Sequence, residues 1–104
     1  MQNCIWSRGE RLGSVDSSGE IWSRGEKIGL VDGSGGVWCK GERLGIVDLS
    51  GELWLRGEKV GSMDSSGEVW FGGELIAMVE MYNDLPKTIA GGAALVLLRS
   101  RLRR

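Results

Sequence analysis

The chain has 104 residues, thirteen Lys and Arg against fourteen Asp and Glu, and a formal net charge of −1. There is no histidine, which excludes a histidine general base and histidine metal ligands. This length suits one domain with a modest core.

Tryptophan sets the period. Trp6, Trp22, Trp38, Trp54 and Trp70 stand sixteen residues apart, and the chain has no others. So short a repeat is one small supersecondary element that needs its neighbours to bury a core. The opening residues, Met1 to Trp6, carry no positive flank and run straight into the repeat, so no secretory signal is expected. Cys4 is assigned to the outer face of the sheet and Cys39 to the inner one, which gives them no geometry for a disulfide. Two free thiols fit a cytoplasmic protein.

Two turn signals cut each unit. The first is Arg24-Gly25-Glu26-Lys27 and its copies, where a Gly-x tip fits a type II′ hairpin with Arg24 opposite Lys27. The second is Asp16-Ser17-Ser18-Gly19 and its copies, a type I turn followed by a left-handed glycine. Both join antiparallel strands. The expected fold is therefore all-β: five 16-residue hairpins in an antiparallel meander. Closure with five-fold pseudo-symmetry removes the exposed edges.

In the register implied by those turns each tryptophan lies beside a strand glycine, as Trp22 beside Gly29. Period-two alternation then puts Ile5, Ile21, Leu30, Val37, Ile46, Leu53, Val69 and Met78 on the core face. The indoles fall on the outer face with Val15, Val31, Val47, Met63 and Val79.

The stretch Lys27-Ile28-Gly29-Leu30-Val31-Asp32-Gly33-Ser34-Gly35-Gly36-Val37 resembles the G-x-I-G-x-V-D-x-x-G-x-V repeat of the bacterial five-fold β-flower proteins. The pattern recurs from about Asn3 to Tyr82. The resemblance implies five hairpins arranged as petals round an axis and implies no activity. A tryptophan in every unit departs from that family's usual smaller or tyrosine-like residue.

The β domain is expected over 1–83 and a C-terminal helix over 84–104, starting at an Asp84 cap with Pro86 in the first turn and ending near Leu102. Residues 1–83 carry eight bases and thirteen acids, whereas residues 84–104 carry five bases and one acid. From Ile89 to Leu98 no side chain is polar, so the segment wants burial all round and is too short to cross a bilayer. Three readings stand open. It plugs the ring; it binds itself or a membrane surface through Ile89, Leu95, Val96 and Leu98 with Arg99, Arg101, Arg103 and Arg104; or it is a disordered tail. On the second reading a chain ending at Asn83 stays folded.

The repeated aspartates are expected to cap their own turns rather than hold a cation. Neither a metal nor a cofactor is expected, and the serines have no partner base, so no enzyme is expected. Nucleic acid is not an expected partner, because the acidic body repels phosphate. The leading reading is a non-enzymatic binding or assembly module, with the helix contacting a homo-oligomer copy, a protein partner or a membrane surface. The alternative is a ligand-binding, carbohydrate-like module that uses Trp6, Trp22, Trp38, Trp54 and Trp70.

Overall fold

A computed structural model describes residues 3–99, apart from the side chain of Asn83. Its ten strands form a closed antiparallel barrel in chain order. They are β1 (Asn3–Ser7), β2 (Glu10–Val15), β3 (Glu20–Ser23), β4 (Glu26–Val31), β5 (Gly36–Cys39), β6 (Glu42–Val47), β7 (Glu52–Leu55), β8 (Glu58–Met63), β9 (Glu68–Phe71) and β10 (Glu74–Val79). β1 pairs with β10 to complete the ring. A single 3-10 turn, Tyr82–Asp84, leads into helix α1 (Lys87–Leu98). The expected hairpin repeat, its closure and the terminal helix are all present.

The register differs from the expected one by two residues next to the Arg-Gly tip and, after a bulge, by one. Ser23 faces Glu26, so Arg24 and Gly25 alone form the tip, with φ of 54° and 77°. Two successive positive φ values make this a type I′ turn, whose twist matches that of the strands it joins. Past the tip Trp22 faces Lys27 while Ile21 faces Gly29, leaving Ile28 as an extra residue in a bulge. The same bulge recurs in every hairpin. The aspartate turn has the expected type I form with a left-handed glycine, as at Gly19 with φ of 93°. Beyond it Val31 faces Val37 rather than Gly36.

Shifting a strand by one residue exchanges its faces. Val15, Val31, Val47, Met63 and Val79, expected outside, line the interior at 3% exposure or less. Ile5, Ile21, Val37, Leu53 and Val69 join them there as expected. Leu30, Ile46 and Met78, expected inside, pair with Trp38, Trp54 and Trp6 and so share the outer wall with the indoles. The strand glycines do not lie under indole rings. A Cβ on Gly29 would stand 2.6 Å from the carbonyl oxygen of Trp38, and one on Gly13 2.3 Å from that of Trp22. They are glycine because a neighbouring backbone comes too close for any side chain.

Eight strands enclose a space that side chains alone can fill, and ten enclose more. Helix α1 fills it. Ala90, Ala93, Ala94, Leu95, Val96 and Leu98 are fully buried. Gly91 and Gly92 let the helix meet the wall: a Cβ on Gly92 would lie 2.4 Å from Val31 Cγ2, and one on Gly91 2.7 Å from Leu53 Cδ2. The helix begins later than expected, with Pro86 at the N-cap and Asp84 in the 3-10 turn at φ of 56°. Leu102, its expected end, lies outside the described residues.

Candidate functional site

The aspartate turns repeat one pattern of bonds, and at some of them the pattern extends to an indole of the outer wall. Trp22 is an exception, its buried Nε1 having no hydrogen-bond partner among the described residues. In each turn the Asp Oδ1 accepts from the backbone and the hydroxyl two residues on, and from the backbone N–H four residues on. For Asp48 these are Ser50 N at 3.1 Å, Ser50 Oγ at 2.7 Å and Glu52 N at 3.0 Å. The second carboxylate oxygen reaches the wall. Trp38 Nε1 donates to Asp32 Oδ2 at 2.9 Å, and Trp54 Nε1 to Asp48 Oδ2 at 3.4 Å. Each such indole is thereby tied to a turn six residues before it in the chain.

These donors favour the ionised carboxylate. The Trp38 indole, the Ser34 hydroxyl and the Gly36 N–H hold Asp32 well below the ordinary carboxylate value of 3.8. The Ser50 hydroxyl and the Glu52 N–H lower Asp48 to about 2, and the Ser66 hydroxyl lowers Asp64. The aspartates therefore cap their turns, as expected.

The fifth copy of the network crosses the gap between the chain's ends. Glu80 Oε1 accepts from Cys4 N at 3.0 Å and Glu80 Oε2 from Trp6 Nε1 at 3.3 Å. The Cys4 N–H holds Glu80 below its ordinary value. Asn3 Nδ2 donates to the Glu80 carbonyl at 2.6 Å, taking the part that Gly19 N plays towards the Asp16 carbonyl at 3.0 Å.

The five tryptophans thus ring the outside; Trp6 is 38% exposed and the others are half-buried. The C-terminal group is placed differently from its expected role as a contact. Leu95, Val96 and Leu98 are fully buried and Ile89 packs against the core, because the barrel takes up every side of the helix. That leaves no apolar helix face for a partner or a bilayer. Arg99 sits at the mouth ringed by the Arg-Gly tips, donating to the Val96 carbonyl at the helix end. Arg101, Arg103 and Arg104 lie outside the described residues. No helix is long and apolar enough to cross a membrane among the described residues. Cys4 and Cys39 are unpaired, on outer and inner faces respectively.

Sequence reasoning missed the indole-to-aspartate bond, although its signal, Asp followed by Trp six residues later, recurs through four units. It also missed how the last hairpin differs on the outer wall. Leu75 is 43% and Met78 42% exposed there, where other units carry a base and, in two of them, a serine.

No protein-family model, curated protein or solved structure matches the chain. Among the described residues no three His, Cys, Asp or Glu side chains group to hold a metal ion.

Proposed function

We propose that this chain is a non-enzymatic β-repeat module of the β-flower kind that binds or assembles through its outer wall. The observation that carries this reading is the indole-to-carboxylate bonding, which holds the amphipathic rings of Trp6, Trp38 and Trp54 in place on the outside of a filled barrel. Rigid aromatic surface loses little entropy on association, which is what a contact surface needs. The turn carboxylates are occupied in capping and in holding indoles, which supports a structural rather than a catalytic use for them. The unpaired cysteines support a cytoplasmic setting.

The contact on this reading belongs to the wall and not to the helix, whose apolar side chains are used in the core. A second reading, recognition of a carbohydrate, is favoured by the half-exposed indole faces, which can stack on sugar rings.

Sedimentation velocity from micromolar to sub-millimolar concentration, together with calorimetric titration with soluble oligosaccharides, separates the two. Mass that grows with concentration supports assembly. Saturable heat with quenching of tryptophan emission supports the carbohydrate reading. A chain that stays monomeric and takes up no sugar contradicts both.

A further inference from the structure

The five hairpins share one backbone plan, and the fifth differs from the others most in charge. Four carry a base at the tip and another three residues on: Arg8 and Arg11, Arg24 and Lys27, Lys40 and Arg43, Arg56 and Lys59. The fifth has Gly72 and Leu75 in those places. On the outer wall around it Glu68 faces Met78, Met78 faces Trp6 across the closing seam, and Leu75 faces Trp70. Trp6, Leu75 and Met78 are each about two-fifths exposed, so this sector presents a contiguous apolar surface.

Its charges are unbalanced too. Lys27 pairs with Glu20 at 3.3 Å and Lys59 with Glu52 at 3.1 Å, each bridge spanning seven residues along the chain. Glu68 occupies the equivalent acidic place, but its partner position is Leu75 and it has no ion pair among the described residues. Two bases show the converse, because the acids that would pair with Arg43 and Arg11 are replaced by Gly36 and Cys4. Arg11 has the Glu80 carboxylate close by instead, whereas among the described residues no such acid stands in for Arg43. Arg43 instead lines an open groove of about 330 Å³ with Leu44, Gly45, Ile46, Trp54 and Gly57. An acid lacking its base stands beside an apolar knob in the fifth unit. A base lacking its acid stands beside an apolar groove in the third.

The two lie on separate sectors of one rigid barrel and cannot meet within a chain. We propose that they meet between copies: the Trp6–Leu75–Met78 surface of one chain docks on the Arg43–Ile46–Trp54 groove of a second, with Glu68 facing Arg43. This rests on the assembly reading above and names its contact. The pairing is heterologous, so it propagates into a ring or a filament rather than stopping at a two-fold dimer. Burial of leucine, methionine and indole supplies the affinity, and the Glu68–Arg43 pair fixes which groove is chosen.

The test uses residues the other repeats already carry in the same places, so the fold is preserved. Leu75→Lys copies Lys27 and Lys59, and Met78→Ser copies Ser14 and Ser62. Sedimentation velocity on the full chain is expected to show wild type gaining mass with concentration. The L75K/M78S double variant is expected to stay monomeric with an unchanged circular dichroism spectrum. R43E is expected to lose association, and R43E combined with E68R to regain it.

Wild type that remains monomeric at sub-millimolar concentration overturns the proposal, while the oligosaccharide titration still tests the binding module. L75K/M78S that associates like wild type also overturns it, and places assembly on another face. A monomer that binds anionic vesicles and loses that binding in L75K/M78S overturns it in favour of a membrane occupant.

Discussion

Glu80 stands to Trp6 as Asp32 stands to Trp38, with a carboxylate oxygen accepting from the indole Nε1, although no turn connects the two residues. The seam reproduces a turn without the peptide chain. Glu80 N donates to the Cys4 carbonyl at 2.9 Å, as Asp16 N donates to that of Glu20 at 3.1 Å.

This relationship makes the seam depend on side chains that a covalent turn would not need. Glu80→Ala removes the acceptor of the Cys4 N–H and of the Trp6 indole, and a part-buried donor left unpaired costs about 1–3 kcal/mol. We expect a lower urea midpoint with an unchanged m-value, and faster amide exchange in β1 than in β5. Exchange that accelerates equally in all strands would contradict the seam assignment.

The turn carboxylates predict an acid limit to stability. Asp32, Asp48, Asp64 and Glu80 all have depressed folded-state values. Their contribution is complete above the unfolded value, 3.8 for the aspartates, and is lost as the pH falls through the folded one, about 2 for Asp48. The urea midpoint should therefore fall as the pH drops from about 4 towards about 2, and Asp48→Asn should flatten part of that fall. A midpoint in D48N that tracks wild type through this window would show that the Asp48 bonds contribute nothing.

Gly92 sets two effects against each other. Alanine is the better helix former by about 1 kcal/mol. Against that, its Cβ would stand 2.4 Å from Val31 Cγ2, on a stiff β-branched side chain of the barrel wall. Overpacking of this kind costs about 1–3 kcal/mol, so the clash wins and Gly92→Ala should lower the thermal midpoint. A rise would mean the helix stands further from the wall.

The tip at Arg24 and Gly25 invites stabilisation. Arg24 holds φ of 54° at an exposed position, where a side chain other than Gly, Asn or Asp is strained by about 1 kcal/mol. Asn-Gly is the preferred type I′ pair. Arg24→Asn should raise the melting temperature by a few degrees. A fall would contradict the type I′ assignment.

The repeat, its aspartate turn and its closure were legible because glycine and aspartate recur at fixed spacing, whereas the Arg-Gly turn falls one residue earlier than expected and is type I′ instead of type II′. The register was not legible. In Ile28-Gly29-Leu30-Val31 three of four residues are apolar, so either face reads as core, and the bulge at Ile28 has no side-chain signature of its own. The helix was legible as a segment wanting burial on every side. Its place inside the barrel is signalled by Gly91-Gly92-Ala93-Ala94, small residues where a wall must come close. The outer-wall surface went unread because it lies in what one hairpin lacks.

The account depends most on α1 being the core of the barrel. Burying Leu95, Val96 and Leu98 is worth roughly 1.5–3 kcal/mol each, an amount comparable with the whole stability of a small domain. Circular dichroism through thermal unfolding of a chain ending at Asn83 tests this directly. The account predicts no cooperative transition until a peptide of residues 84–104 is added. A truncated chain that melts cooperatively at the wild-type temperature would contradict it.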